Sequence, residues 1–387
     1  MRNFYFGLDL GHYEIKLSVL EETYDGRLIS YNTSFKNEYF RKNDIIEQEN
    51  LISLLNQVIE NTLETFDIKR INNLNISLTL PSFQKHIQKG HAIFEDNVKE
   101  EDIKKTIRTA KNFLLLNNQE ILVEEPLRFL IDGIQEIRDP LGFAGKRLDA
   151  DVLFISCHKS FYDKIKNIFK ALNLEIVNIL PSLYCSSKVC LSKKDKEIGV
   201  GLIDIGGETI SIGVFNEGKL IDMMVFDFGA EILYQDLAVH LKVGFEEIEK
   251  IKTDLYKSEF TGGKKTNKKE AKLKQQITKF LEKKLKEYFE EFKISDYVKS
   301  VKKGYKFPAG LVMIGGFSLY ENSLNLLKNI LEVPIKFPKD ELNIFENEDE
   351  IKKFSSSVGA ALLAKEFSKE YGLLEKIKKF FYNFWSR

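Results

Sequence analysis

The stretch Gly7-Leu8-Asp9-Leu10-Gly11 and its later counterpart Leu202-Ile203-Asp204-Ile205-Gly206-Gly207-Glu208-Thr209 decide how this chain folds. Each is an apolar strand run that ends in Asp and then Gly, with a second strand predicted to begin a few residues on. An Asp at such a hairpin tip presents a carboxylate beside free backbone N–H groups. A glycine there lets a phosphate approach the backbone closely, because no β-carbon stands in the way. Two such tips facing one another make a cleft for phosphates and a hard cation between two domains.

The segments around the two tips follow one plan. Residues 4–10, 15–20 and 28–32 are predicted strands of a meander, with Asp25-Gly26 as a hairpin turn. Ile45, Ile46, Leu51, Ile52, Leu54, Leu55, Val58, Ile59 and Leu63 then recur at helical spacing within 43–66, and strand returns at 74–80. After Asp204, strands at 198–204, 209–215 and 219–226, a turn at Asn216-Glu217-Gly218 and a helix over about 230–241 repeat the pattern. The chain is read as a duplicated mixed α/β unit.

A separate small module interrupts the first unit between Pro81 and about Tyr162. It has a predicted helix at 101–114, strands near 120–123 and 149–155, and turns at Asp139-Pro140 and Phe143-Ala144-Gly145. A helix from Asp163, a strand at 175–179 and a helix after Pro181 resume the first unit. Residues 257–274, with Gly262-Gly263 and six lysines between Lys264 and Lys274, are predicted to be an exposed loop. Aromatic residues are not interleaved there, which argues against nucleic acid as a partner. The helix beyond carries Leu273, Ile277, Phe280, Leu281, Leu285, Tyr288, Phe289 and Phe292 on one face, a core stripe.

At 387 residues the chain exceeds one ordinary core, and 43% hydrophobic residues suffice to build several. Lys plus Arg equals Asp plus Glu at 58 each, so no overall field favours nucleic acid or an acidic substrate. Cys157, Cys185 and Cys190 have no metal-ligand spacing and no even count for disulfides, which points to a reducing cytoplasm. The start lacks the pattern of a signal peptide, and no apolar run reaches the ~18 to 20 residues that span a bilayer.

The last residues qualify that solubility. In GLLEKIKKFFYNFWSR, from Gly372 to Arg387, the residues Leu373, Leu374, Ile377, Phe380, Phe381, Phe384 and Trp385 form one helical face. Lys376, Lys378 and Lys379 flank it, a pattern suited to lying in the interface of an anionic membrane. Each buried large apolar side chain is worth roughly 1.5 to 3 kcal/mol before ordering costs, and each basic residue near anionic lipid about 1 kcal/mol. Half-burial of this face therefore gives reversible attachment.

A third turn completes the set. Gly310-Leu311-Val312-Met313-Ile314-Gly315-Gly316-Phe317-Ser318 is a buried strand run into a Gly-Gly turn, against which a flat ring can lie, with a helix predicted from about Tyr320. The order of the three turns resembles the actin-like ATPase superfamily, and more narrowly the bacterial cell-division family FtsA. The resemblance rests on GLDLG at 7–11, DGIQEIRDPLGFAGKRLDADVLFIS at 132–156, and GVGLIDIGGETISIGVFNEGKLI at 199–221. IEKIK at 248–252, VMIGGFSLYEN at 312–322 and SSSVGAALLA at 355–364 extend it over nearly the whole chain.

The resemblance implies an actin-like α/β fold, two duplicated ribonuclease H-like domains around a nucleotide cleft, with an FtsA-type inserted subdomain. Subdomain 1A would comprise 1–82, 163–195 and 354–371; 1C, 83–162; 2A, 196–230 and 306–353; and 2B, 231–305. Residues 372–387 would be the membrane-targeting helix. ATP and magnesium are the implied cofactors. Asp9 and Asp204 would position water or magnesium; Gly11, His12, Tyr13, Lys16, Gly206, Gly207, Glu208, Thr209 and Gly229 would surround the phosphates. Glu249 and Lys252 would reach the ribose and base, and Gly315, Gly316, Phe317 and Ser318 would form the adenosine side.

The chain departs from the family's pattern at the cleft. His12 and Tyr13 replace small hydroxyl residues, Glu208 replaces a glycine, Ile210-Ser211 replace Thr-Asp, Ala230 follows Gly229, and Phe317 replaces a small residue. Leu180 stands before Pro181, where hydrolysing relatives carry a water-activating group. A desolvated contact between Glu208 and a phosphate would cost roughly several kcal/mol unless the side chain turns outward. The expectation is a retained fold, weakened ATP binding and at most a slow ATPase.

The function so implied is an actin-like protein of the division site, on the cytoplasmic face of the membrane. It would self-associate into filaments, bind the FtsZ C-terminal peptide through 2B, tether FtsZ to anionic lipids, and meet other divisome proteins at 1C. A PilM-like scaffold for pilus assembly is the rival, without the terminal amphipathic helix. A sugar or acetate kinase-like enzyme is a second rival. It needs a substrate-side carboxylate and a larger insert, neither of which is found.

Overall fold

In the computed structural model, which describes residues 3–115, 118–256, 268–305 and 307–385, the first apolar run is a central strand. In β1 (Asn3–Leu10) every residue from Tyr5 to Leu10 is buried, the mark of a strand covered on both faces. It pairs antiparallel with β2 (Glu14–Glu22), and β2 pairs likewise with β3 (Leu28–Lys36). A small hairpin of β4 (Phe40–Arg41) and β5 (Asp44–Ile45) follows, then α1 (Gln48–Phe66) and β6 (Leu74–Leu78), which lies parallel to β1.

Helix α1 therefore starts later than the apolar spacing predicts. Lys42 adopts a positive φ of 45° in the hairpin turn, which sets Ile45 beside Phe40 and leaves Ile46 exposed. The two apolar residues belong to a strand and a connection, although they fit a helical period.

An inserted unit comes next: β7 (Gln84–Ile93), α2 (Glu100–Leu115), β8 (Gln119–Ile131), β9 (Gln135–Ile137) and β10 (Arg147–His158). Its four strands lie in the order β7-β10-β8-β9, with Ala110 and Leu114 of α2 in the core of that sheet. The chain returns through α3 (Lys159–Ala171), β11 (Ile176–Pro181), α4 (Ser182–Cys190) and α5 (Lys193–Ile198). The first sheet is thus ordered β3-β2-β1-β6-β11.

The second half rebuilds that sheet. β12 (Val200–Ile205), β13 (Ile210–Asn216) and β14 (Lys219–Phe226) form an antiparallel meander. The helices α6 (Ala230–Leu241), α7 (Phe245–Tyr256), α8 (Lys268–Glu291) and α9 (Ile294–Tyr305) follow. β15 (Leu311–Ile314), a 3-10 turn at Gly316–Leu319, α10 (Ser323–Leu331) and β16 (Ile335–Lys336) complete the lobe, and the sheet order is β14-β13-β12-β15-β16. The two sheets match strand for strand, so the duplication is structural.

Two local expectations change. Residues 268–274 are the start of α8 and not a loop, consistent with the high helix propensity of Lys, Glu, Ala and Leu. Residues 257–267 lie outside the described residues. The predicted helix from Tyr320 is preceded by the 3-10 turn and begins at Ser323.

The last helix, α11 (Glu348–Trp385), returns to pack on the first lobe. It lies so close to β1 that a β-carbon on Gly7 would stand 1.9 Å from the Ser357 carbonyl oxygen. Ser18 and Ser357 hydroxyls bond at 2.7 Å, and the Asn75 amide donates to the Ala360 carbonyl at 3.1 Å. The backbone of α11 is helical to Trp385, whereas the side chains of 369–387, which carry the predicted amphipathic face, lie outside the described residues. Among the described residues no helix is long and apolar enough to cross a membrane.

Candidate functional site

The register fixes where the two carboxylates stand. Asp9, at the carboxyl end of β1, lies opposite Lys16 of β2 and Ser77 of β6. Asp204, near the carboxyl end of β12, lies opposite Ser211 of β13 and Ile314 of β15. Ligands of open α/β sheets bind outside the carboxyl ends of central strands. Here the two ends border one cleft of about 300 Å3.

The cleft is lined from the first lobe by Asp9, Gly11, His12, Tyr13 and Lys16. From the second it is lined by Asp204, Gly206, Gly207, Thr209, Glu249, Lys252, Gly315, Gly316 and Phe317. Residues as far apart in sequence as Asp9 and Lys353 border the same space. Glu208, Gly229 and Ser318 do not line it. Glu208 and Gly229 border a neighbouring cavity of about 420 Å3, and the buried Ser318 donates its hydroxyl to the Gly315 carbonyl at 2.6 Å. Ser318 therefore shapes the Gly-Gly turn from behind.

Asp9 is held on all sides. Its Oδ1 accepts from Ser77 Oγ at 2.9 Å and Ser182 Oγ at 2.8 Å, while Oδ2 lies 3.5 Å from Lys16 Nζ. Burial opposes the charge on Lys16, yet the carboxylates of Asp9, Glu14 and Asp204 outweigh it and hold the ammonium above its ordinary range. Among the described residues, Asp204 has no such ring of donors. Burial, with Asp9 adding to it and Lys16 opposing, pushes its carboxyl up to about 6.

The Gly-Gly turn touches that carboxylate. Gly315 has φ of 91°, and a β-carbon there would stand 2.3 Å from Asp204 Oδ1 and 2.5 Å from the Ile205 carbonyl oxygen. Only glycine satisfies both the left-handed backbone and the contact.

The departures from the family pattern take distinct places. His12 stacks on Phe40 with ring centroids 4.8 Å apart, and its Nε2 donates to the Lys42 carbonyl at 3.2 Å. Burial lowers its pKa, so the ring is a neutral packing group. The Phe317 ring is fully buried beside Tyr320. Glu208 turns outward: its Oε1 pairs with Arg41 and its Oε2 accepts the Lys42 backbone N–H at 3.2 Å. Leu180 is buried with Cys185, Ala360 and Leu363, and the cleft wall near it carries the hydroxyls of Thr79 and Ser182.

Tyr13 spans the cleft. Its hydroxyl donates to Glu249 Oε2 at 3.0 Å, and the Lys252 ammonium sits 4.6 Å from the centre of its ring. Burial, then the Glu249 carboxylate, raise the phenol well above its ordinary range. Lys252 also pairs with Glu231 at 3.2 Å and Glu249 at 3.0 Å.

Thr79, Ser182, Glu14, Glu231, Tyr234 and Lys353 also line the cleft, although sequence reasoning did not select them. Ser182 had one available signal, its place at a helix start after Pro181. Lys353, on a helix at the far end of the chain, reaches Glu14 at 3.1 Å and the Ser34 hydroxyl at 2.9 Å, a contact with no local signature.

The magnesium ion that such a cleft implies favours one or two carboxylates together with phosphate and water oxygens. Asp9 and Asp204, one from each lobe and near enough for Asp9 to raise the Asp204 carboxyl, fit that donor set.

Comparison with known proteins follows the same lines. A family model described as the SHS2 domain inserted in FtsA matches residues 84–156, and one described as cell division protein FtsA matches residues 201–359. Cell division protein FtsA of Borreliella burgdorferi is 26% identical over 401 aligned positions, covering 98% of this chain and 95% of that protein. That of Bacillus subtilis is 25% identical, covering 85% and 77%. That of Buchnera aphidicola is 34% identical over 163 residues, covering 41% of this chain and 38% of its own length.

Among solved structures, a chain of the PilM-PilN type IV pilus biogenesis complex superposes with a TM-score of 0.64 at 14% identity, covering 93% of this chain and 98% of that one. MreB5 of Spiroplasma citri bound to ADP does so at 0.50 and 12%, covering 95% and 98%. At those identities the likeness speaks for an actin-like fold alone.

Proposed function

The chain belongs to the FtsA family of cell-division proteins, and from that premise we propose that it binds ATP between its two lobes, self-associates, and tethers FtsZ to the cytoplasmic membrane at the division site. One observation carries the nucleotide reading: two Asp-Gly hairpins and a Gly-Gly turn, far apart in sequence, border a single cleft of about 300 Å3. Gly11, Gly206, Gly207 and Thr209 are proposed to receive the phosphates, Glu249 and Lys252 the ribose and base, and Gly315 and Gly316 the adenine ring. Magnesium held by Asp9 and Asp204 would neutralise phosphate charge.

Slow turnover goes with this reading. Hydrolysis needs a group that orients and deprotonates the attacking water. The side chains near Pro181 offer hydroxyls and a buried leucine instead. The subdomain limits given above are proposed as working boundaries, with the FtsZ C-terminal peptide on 231–305, other divisome proteins at 83–162, and anionic lipid on 372–387.

Calorimetry of the full chain with ATP and magnesium, followed by titration with the C-terminal peptide of FtsZ from the same organism, tests the proposal. Binding of both is expected. No heat with the peptide at high micromolar concentration would reduce the protein to a divergent scaffold.

A further inference from the structure

Tyr13 and Glu249 belong to different lobes, 236 positions apart, and yet share a hydrogen bond at 3.0 Å across the cleft. Around that bond both carboxylate oxygens of Glu249 are engaged. Glu249 gives Oε2 to the Tyr13 hydroxyl and Oε1 to Lys252 at 3.0 Å. The Lys252 ammonium, only 8% exposed, lies between the Tyr13 and Tyr234 rings at 4.6 and 4.9 Å and is further paired with Glu231 at 3.2 Å.

This cluster behaves as a contact made by the protein with itself. Two carboxylates and one ammonium leave a net negative charge, so the cluster offers a phosphate no attraction. Of its two cleft-lining carboxylates, Glu231 and Glu249, the latter is engaged by a phenol. A hydrogen bond to a charged group is stronger than one between neutral groups, and any ligand hydroxyl that seeks Glu249 must displace such a bond.

We infer that Tyr13 is a latch and a specificity-determining residue: it closes the two lobes over the cleft and competes with the nucleotide's ribose for Glu249. The inference rests on the proposed nucleotide reading, in which Glu249 faces the ribose. Its consequence is that the wild-type cleft binds ATP and 2′-deoxy-ATP alike, because the Glu249 oxygen that would recognise a ribose hydroxyl already holds the Tyr13 phenol in place. Removing only the phenolic oxygen frees that acceptor and opens the latch.

The test compares wild-type protein with Tyr13→Phe in two measurements on the full chain. Amide hydrogen exchange without nucleotide reads the lobe contact, and calorimetry with magnesium plus ATP or 2′-deoxy-ATP reads the site. Faster exchange of α6 and α7 is expected in Tyr13→Phe, with ATP bound at least about fivefold more tightly and preferred over 2′-deoxy-ATP. The wild type is expected to bind the two within about twofold. Unchanged exchange together with unchanged affinity overturns the latch. Weaker ATP binding by Tyr13→Phe overturns the competition and makes Tyr13 a nucleotide ligand. Faster exchange with neither nucleotide bound by either protein keeps the lobe contact and overturns the nucleotide reading, and the competition with it.

Discussion

At Asp204 a single side chain links fold stability to the proposed chemistry. Its carboxyl titrates at about 6 in the folded chain, against an ordinary value of 3.8, because burial and the nearby Asp9 disfavour the charged form. Between about pH 4 and 6 the folded protein therefore holds a proton that the unfolded chain releases. By linkage, this group's contribution is most favourable below the unfolded value and is lost as pH rises through the folded one. Asp204→Asn removes the penalty. The variant is expected to gain on the order of 2 kcal/mol over wild type at pH 7.5 in chemical denaturation, with the gap narrowing toward pH 4.5. The same substitution removes a proposed magnesium ligand, so magnesium-dependent ATP binding should fall at least tenfold by calorimetry. In the wild type that affinity should also weaken from pH 7.5 to 5.5. A stabilised variant with undiminished magnesium dependence would dissociate Asp204 from the metal. The motif made Asp204 visible in the sequence, whereas the turn of the Glu208 carboxylate away from the cleft was not visible. Glu208 depends on Arg41, 167 positions earlier, and no local pattern announces that pair.

Among the elements, the β4–β5 hairpin and helix α11 perform work that periodicity alone does not disclose. The hairpin reaches from the first lobe to the second. Arg41 pairs with Glu208, the Lys42 N–H reaches the same carboxylate, and the Lys42 ammonium meets Asp227 at 2.7 Å. Arg41 is part-exposed, so the pair adds less than about 1 kcal/mol to stability. Its larger role is to keep a carboxylate turned away from the phosphate loop. Arg41→Ala should leave the denaturation midpoint nearly unchanged and weaken ATP binding severalfold; adding Glu208→Ala should restore it. A double variant no better than Arg41→Ala would remove this role. Helix α11 makes a different demand. Gly7 reads as an ordinary residue of an apolar strand, yet a β-carbon there meets the Ser357 backbone at 1.9 Å. It would also stand 2.4 Å from the Ala361 nitrogen, and neither backbone neighbour is the yielding end of a side chain. Gly7→Ala should cost at least about 2 kcal/mol in urea denaturation, within the range for overpacking, while Asn3→Ala, at the exposed start of the same strand, serves as the mild comparison.

For the whole molecule, the duplication was legible because each lobe is organised by a central strand whose burial leaves a continuous apolar run before its Asp, Tyr5 to Leu8 and Val200 to Ile203. The glycine turns at the ends of those strands gave the cleft. Contacts between lobes were not legible, since the Tyr13–Glu249 bond joins residues whose local sequences carry no trace of one another. The tail is the reverse case: its chemistry is written in the sequence alone. Seven large apolar residues on one helical face, with Lys376, Lys378 and Lys379 beside it, continue from a helix whose earlier turns are packed on β1. At roughly 1.5 to 3 kcal/mol for each buried side chain and about 1 kcal/mol for each lysine near anionic lipid, even half-burial exceeds the cost of ordering a helix already nucleated by the protein. One tail would give reversible attachment, and self-association would multiply it, because linked tails bind as one multivalent unit. The full chain should therefore sediment with anionic liposomes, more weakly with neutral ones and more weakly at high salt. A chain ending at residue 371 should stay in the supernatant while keeping its thermal stability and its ATP affinity. If that truncated chain still pellets, the membrane contact lies on the body of the protein and the tether falls. If the full chain pellets equally with neutral lipid, the lysines contribute nothing and insertion of the apolar face alone carries the attachment.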